Sequence, residues 1–221
     1  MDLLIEKYNY YPVSLGHNCF SRMYIEKIYR KSYPRLPFDY IGSTMWGIND
    51  LIRADFKDFA SKDNLSICPV YHSNSTLHIV NLRYMIIFLH DHKHNGGTTI
   101  QSIKSEKYTE VEKDYSRRIQ RWKDLLASGS KLLFFRLARN EHDRIHQGKP
   151  EKEALQEFSE IMRGLKVDFR ILYFSYENPQ AYDAESQIIY VNIPKKEKIT
   201  DSLIQKLLSD LDVFRFVKES I

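Results

Sequence analysis

The stretch Tyr11–Phe20, which reads YPVSLGHNCF, decides the fold and carries the chemistry. Tyr11–Leu15 is a short apolar run that predicts a buried strand, and Gly16 after it predicts a tight turn. Asn18 is a favourable helix N-cap, so Cys19 falls in the first turn of the helix that follows. A strand, a glycine turn and a helix N-terminus therefore succeed one another within ten residues.

Hydrophobic periodicity predicts the other elements. Helices are expected up to about Tyr29, after the N-cap Thr44, over Tyr108–Ser128, from Pro150 and from Thr200. Strands are expected at Leu77–Asn81, Tyr84–Leu89, Leu132–Leu137, Arg170–Ser175 and Gln187–Ile193. From residue 108 onward strands and helices alternate, which favours an α/β fold with a mostly parallel or mixed sheet flanked by helices. We expect a single domain over residues 1–221 with Rossmann-like layering, and a papain-like α+β arrangement is the runner-up.

Two of the predicted helices carry further signals. The apolar stripe of the helix after Thr44 continues to Phe56 and Phe59, which predicts a helix through both residues. Thr109 and Glu112 form a capping-box pattern at the start of the long helix. Gly129 is placed to end that helix.

Composition limits the classes of protein to which the chain can belong. The 221 residues are 43% hydrophobic and 28% charged, which argues against disorder. A net charge of +4 is too mild to predict nucleic-acid binding. No apolar run is long enough for a membrane span, and Met1–Tyr11 lacks the pattern of a secretory signal. Two cysteines are too few for a disulfide scaffold, so we expect a cytoplasmic protein.

Cys19 is the candidate nucleophile. At a helix N-terminus the helix dipole favours a thiolate, and unpaired backbone N–H groups around Gly16 and Asn18 could hold an oxyanion. The alternative is that Cys19 is a small buried hydrophobe, which is the commoner role of cysteine. Cys68 lacks such a setting and is assigned to the core or to a loop.

A thiol nucleophile needs a base, and His90 is the best candidate because it ends an apolar strand. Asp91 follows it directly, but neighbours on a strand point to opposite faces. Asp39, in a stiff turn between aromatic residues, is the other acid that could orient the imidazole. Both acids stay open as the third member of the site.

Two charged groups have a functional and a structural interpretation. His90, His92 and His94 could converge on zinc if they lay on one strand, but the surrounding polar residues favour a solvated loop, so no metal and no cofactor is expected. Arg117, Arg118 and Arg121 could clamp a phosphate or a carboxylate, or could form a solvated basic face. Arg136 and Arg139, near the end of a strand, pose the same choice.

Four blocks of sequence together resemble a domain family of unknown function that is described as papain-like cysteine peptidases. They are Ser14–Cys19 (SLG-x-x-C), Pro37–Tyr40 (PFDW, with Tyr in place of Trp), Phe88–Asp91 (F-x-H-D) and Tyr115–Trp122 (Y-x-RR-I-x-R-F). The resemblance implies a Cys19–His90 pair with an acidic third member, and thiol chemistry on an acyl group.

The first hypothesis is a cysteine-dependent hydrolase or acyltransferase whose substrate is a peptide, an acyl compound or an anionic small molecule. The second is a non-catalytic α/β domain that binds a glycosyl or phosphate ligand and in which Cys19 is structural. Neither hypothesis requires nucleic acid or a membrane.

Overall fold

The computed structural model describes residues 9–17, 19–69, 77–89, 105–137, 145–146, 149–176, 181–194, 200 and 203. The helices in these ranges are α1 (Cys19–Tyr29), α2 (Met45–Arg53), α3 (Ser105–Ala127) and α4 (Glu151–Gly164), with a short 3-10 helix at Lys62–Asn64. The strands are β1 (Tyr10–Ser14), β2 (Ile41–Ser43), β3 (Leu65–Pro69), β4 (Leu77–Asn81), β5 (Ile86–Phe88), β6 (Lys131–Leu137), β7 (Ile145–His146), β8 (Lys149–Pro150), β9 (Phe169–Ser175), β10 (Ala181–Asp183) and β11 (Ile188–Asn192).

The larger sheet, sheet A, has the strand order β1-β6-β9-β11-β10. Its first four strands are parallel and only β10 is antiparallel to its neighbour. The central strands are nearly continuous apolar runs, as expected where helices cover both faces of a parallel sheet. The predicted α/β class with a mostly parallel sheet is confirmed.

Helices cover both faces of sheet A. On one face Tyr29 of α1 packs edge-on against Phe135, with ring centroids 6.2 Å apart. On the other face Phe134 contacts Trp122 of α3 and Phe158 of α4, with centroids 6.0 and 5.0 Å apart. Alternate residues of β6 thus serve two separate cores, since successive side chains of a strand point to opposite faces.

A second, antiparallel sheet, sheet B, has the order β2-β5-β4-β3. Aromatic contacts join it to α3, because the ring of Tyr115 lies 5.3 Å from that of Phe88 and 5.0 Å from that of Phe59. Sheet B therefore belongs to the same core as the α3 face of sheet A. A two-stranded hairpin, β7-β8, precedes α4.

Most predicted elements are present, with ends shifted by a few residues. The helix after Thr44 ends at Arg53 instead of continuing through Phe59, because Asp55, Phe56 and Asp58 adopt left-handed backbone conformations. Both phenyl rings are nevertheless buried, so the apolar stripe predicted their burial correctly and their helical conformation wrongly.

The predicted strand Tyr84–Leu89 is shorter in the structure, since Met85 has a φ of 51° and pairing with β4 starts at Ile86. The capping box was also wrong, because α3 begins at Ser105 and Thr109 lies inside it. Gly129, with a φ of 71°, follows the end of α3 as predicted.

The strand β3 was not predicted from the sequence. Cys68 lies on this strand, and its side chain is outside the described part. The predicted final helix falls almost wholly outside the described residues. No helix within the described ranges is both long enough and apolar enough to cross a membrane.

Candidate active site

The turn between β1 and α1 has an unusual backbone. Gly16 and His17 are both left-handed, with φ of 67° and 77°. Gly16 must be glycine, because a Cβ added there would overlap the hydroxyl oxygen of Ser43. The backbone N–H of His17 donates to that same oxygen at 3.0 Å. One hydroxyl on β2 thus determines both the residue type and the direction of this turn.

Two more serines hold the turn from its own ends. Ser14 Oγ accepts the N–H of Gly16 at 3.2 Å, and Ser21 Oγ of α1 donates to the Gly16 carbonyl at 3.0 Å. Both side chains are buried. The chain is therefore fixed on both sides of the glycine before it enters α1.

Arg136 anchors the turn from β6. Its Nη1 donates to the carbonyl of Leu15 at 2.8 Å and its Nη2 to the carbonyl of Ser43 at 2.9 Å. Glu151 pairs with the guanidinium, and the hydroxyl of Tyr173 donates to the other oxygen of Glu151 at 3.0 Å. The sequence left Arg136 as either an anion ligand or a solvated cation. In the structure it is fully buried and binds backbone.

Cys19 is the first residue of α1; it is a free cysteine and is partly exposed. Arg22 and Glu26 lie three and seven positions later, so all three residues share one face of the helix. Cys19 is thus accessible at the first turn of an 11-residue helix. Cys19 is therefore not a fully buried small hydrophobe.

Asp39 lies in the turn that this face of α1 contacts. It is fully buried, and its Oδ2 accepts the N–H of Leu36 at 2.8 Å and pairs with Arg22 Nη1 at 3.1 Å. Its Oδ1 is buried and has no hydrogen-bond donor among the described residues. Burial raises the pKa of Asp39 to about 6, against the opposing charge of Arg22.

A second pair of side chains joins α1 to the same turn. The hydroxyl of Tyr40 donates to Glu26 Oε2 at 2.7 Å, and Arg22 Nε donates to Glu26 Oε1 at 2.9 Å. Burial acts to raise the pKa of Glu26, but the hydrogen bonds from Tyr40 and Arg22 outweigh it and leave that pKa below its usual value. The helix that carries Cys19 is thus firmly tied to the turn that carries Asp39.

The sequence interpretation missed Arg22 and Glu26. Their spacing from Cys19, one and two helical turns, was the available signal. Only the apolar residues of this helix were used to predict its packing. Polar side chains that pack inward also need polar partners. That partner is the turn at Leu36–Tyr40, whose buried carboxylate could not be foreseen from its loop position.

The three arginines of α3 differ in their surroundings. Arg118 is buried, donates to Asp114 at 3.0 and 2.6 Å, and lies over the ring of Tyr115. Arg117 is exposed and pairs with the same Asp114 at 2.9 Å. Arg121 donates through Nε to the carbonyl of Arg35 at 2.9 Å, which links α3 to the segment before Asp39. Anion binding by these residues remains a prediction.

Several residues named from the sequence lie outside the described part, namely Asn18, His90, Asp91, His92, His94 and Arg139. The described residues that precede His90 end at Leu89, just after β5. In sheet B Phe88 pairs with Ile41, which follows Asp39 by two positions in the chain. The structure therefore brings together the Cys19 helix, the Asp39 turn and the end of β5.

Among known proteins, no curated protein and no solved structure matches the chain. A family model described as "Putative papain-like cysteine peptidase (DUF1796)" matches residues 11–178. That range includes all of β1 except Tyr10, together with the turn at Gly16, Cys19, Asp39 and Arg136. By this match over most of its length, and in agreement with the resemblance seen in its motifs, the chain belongs to that family.

Proposed function

We propose that this protein is a cysteine-dependent hydrolase or acyltransferase in which Cys19 is the nucleophile, His90 the general base and Asp39 the residue that orients His90. The family description supports a cysteine hydrolase at the coarse level and suggests a peptide substrate. The residue roles and the possible transfer reaction go beyond that description.

The case for Cys19 rests on its exposure and its fixed backbone. Cys19 is partly exposed at the start of α1, where helix N–H groups have no partner within the helix. These groups could stabilise an oxyanion. The buried contacts of Ser43 and Arg136 hold the preceding turn, so the sulfur has a defined position from which to attack.

The case for Asp39 rests on the register of sheet B, and it is the observation that carries the proposal. Ile41 pairs with Phe88 and Ser43 with Ile86 in an antiparallel ladder. Asp39 precedes Ile41 by two positions and His90 follows Phe88 by two, so both residues flank the same end of that ladder along the chain. The buried Oδ1 of Asp39, which no described residue bonds, is then the acceptor for an imidazole N–H.

The proposed reaction follows from these roles. Cys19 Sγ attacks the carbonyl carbon of the substrate while His90 takes the thiol proton. Backbone N–H groups at the start of α1 hold the oxyanion. The tetrahedral species collapses to a thioester and expels an amine or an alcohol, which takes the proton from His90. Water, or a second amine or hydroxyl, then attacks the thioester with His90 as base and releases the thiol.

The substrate must present an acyl group to Cys19 at the start of α1. A peptide fits the family description. Arg121 is the best placed of the three arginines to hold an anionic part of it, since it binds a backbone carbonyl, that of Arg35, whereas Arg117 and Arg118 both bind the carboxylate of Asp114.

The first experiment measures alkylation of the two cysteines by iodoacetamide, with mass spectrometry to separate them. We expect Cys19 to react faster than Cys68 at neutral pH, and His90→Ala and Asp39→Asn to slow Cys19 while leaving Cys68 unchanged. Asp91→Asn is the matched control and should have little effect. Equal labelling of the two thiols, or a Cys19 rate that ignores His90, would refute the proposal.

The second experiment distinguishes hydrolysis from acyl transfer. It also tests the alternative that the protein is a non-catalytic binding domain. Peptide and thioester substrates are incubated with and without hydroxylamine, and the ratio of acid to hydroxamate gives the partition between hydrolysis and transfer. A Cys19→Ser protein should lose both products. If it retained full activity or ligand affinity, the non-catalytic binding domain would be favoured.

A further inference from the structure

We propose that Ser43 is a positioning residue that sets the reactivity of Cys19 by fixing the distance between sheet A and sheet B at the turn. The inference rests on the proposed function of Cys19. Ser43 is buried at the end of β2, and its strand pairs with β5, which leads to His90. Its hydroxyl contacts the turn that leads to the nucleophile.

The hydroxyl of Ser43 is fully used at this position. It accepts the N–H of His17 at 3.0 Å and Arg136 Nη1 at 3.3 Å, and it donates to the carbonyl of Leu15 in a longer contact of 3.4 Å. A serine hydroxyl has one donor and two acceptor sites. All three point to sheet A or to the turn that leaves it, so the side chain acts as a bridge between the sheets.

Arg136 makes that bridge rigid. It binds the carbonyl of Leu15 in sheet A and the backbone carbonyl of Ser43 in sheet B with separate nitrogens, 2.8 and 2.9 Å away. Glu151 and Tyr173 hold the guanidinium from α4 and β9. A planar guanidinium with fixed donors is suited to such bidentate contacts.

The turn depends on Ser43 because neither the β1 ladder nor helix α1 supplies hydrogen bonds to its middle residues. The last ladder-type hydrogen bond joins the N–H of Leu15 to the carbonyl of Phe135 at 2.9 Å, and α1 begins only at Cys19. Between them His17 holds a left-handed conformation that a non-glycine residue seldom adopts. Loss of the Ser43 acceptor frees that conformation and moves the thiol relative to sheet B.

The test compares Ser43→Ala with Ser159→Ala. Ser159 is a matched control, since it is fully buried and its hydroxyl has no hydrogen-bond partner among the described residues. Two quantities are measured: the rate of Cys19 alkylation from pH 5 to 10 and the hydrogen exchange of the His17 amide by NMR. Ser43→Ala should slow alkylation of Cys19 at neutral pH by about tenfold, a factor that corresponds to the free energy of one ordinary hydrogen bond. It should also move the profile of alkylation rate against pH to higher pH.

The same variant should speed exchange at His17 by about tenfold or more, whereas Ser159→Ala should change neither quantity. Ser43→Thr keeps the hydroxyl and should restore the wild-type profile. If Ser43→Ala does not fold, Ser43→Cys replaces it, because a thiol accepts only weakly.

The outcomes separate the inference from the proposed function. A fast wild-type thiol whose rate and pH profile are unchanged in Ser43→Ala would overturn the positioning role and leave Cys19 as the nucleophile. A wild-type Cys19 no faster than free cysteine would overturn the proposed function and with it the effect on reactivity. Faster exchange at His17 in the variant would still establish the structural bridge in that case.

Discussion

The Gly16→Ala substitution tests whether the turn before Cys19 is held in the way described. Two costs are expected. An L-residue in a left-handed conformation loses about 1–2 kcal/mol, and Gly16 has a φ of 67°. The new methyl group also overlaps Ser43 Oγ, so the hydroxyl must leave the N–H of His17. The partly buried N–H of His17 then loses this acceptor, which adds about 1 kcal/mol, for a total of about 2–3 kcal/mol.

Gly129→Ala is the matched control. Gly129 has nearly the same φ, 71°, but a Cβ there meets no atom within 4 Å. It should lose only the conformational cost, about 1–2 kcal/mol. The difference between the two glycines therefore isolates the overlap with Ser43 from the backbone strain that both share.

A double-mutant cycle sharpens the test. Ser43→Ala removes both the overlapping oxygen and the acceptor, so in the double variant with Gly16→Ala the hydrogen bond is lost once instead of twice. The double variant should be about 1 kcal/mol more stable than the sum of the single effects predicts. Urea unfolding followed by the fluorescence of buried Trp122 measures all four proteins. Additivity within about 0.5 kcal/mol would refute the reasoning.

Two further predictions concern buried charges. Glu151→Ala should cost about 3–5 kcal/mol in the free energy of unfolding, because it leaves Arg136 buried without its carboxylate, whereas Tyr173→Phe should cost only about 1 kcal/mol; equal losses in urea unfolding would contradict this. Asp39 has a folded-state pKa of about 6, above its unfolded value, so its contribution to stability is present below pH 4 and is lost as pH rises to about 6. Asp39→Asn should remove that part of the pH dependence of unfolding, and a variant whose stability follows the same slope as the wild type between pH 4 and 6 would exclude the raised pKa.

Much of the fold could be predicted because its signals are local. The apolar runs of β6 and β9 and the stripe of α4 depend on residues that are neighbours in sequence. Where prediction failed, contacts distant in the chain had overridden the local pattern. The periodicity that placed Phe56 and Phe59 in a helix reflects their shared burial beside Trp122 and Tyr115, with the backbone left-handed between them.

The candidate site was less accessible to sequence reasoning. A strand, a glycine and a helix N-terminus identified the turn at Gly16, since glycine is required there for a steric reason. Nothing local indicated that Arg136 would bind the carbonyl of Leu15 from the neighbouring strand, or that Arg22 would neutralise Asp39. Such pairs follow from strand order and helix docking, which patterns in one segment do not specify.

The edge position of β1 has a consequence for biosynthesis. Among the described strands its one neighbour in sheet A is β6, and the contact between Leu15 and Arg136 spans 121 residues. A chain emerging from the ribosome thus makes its sulfur long before it makes the groups that hold the turn beside it, and pairings this distant form late in folding. The contacts that hold the turn before Cys19 are therefore complete only once synthesis has passed Glu151.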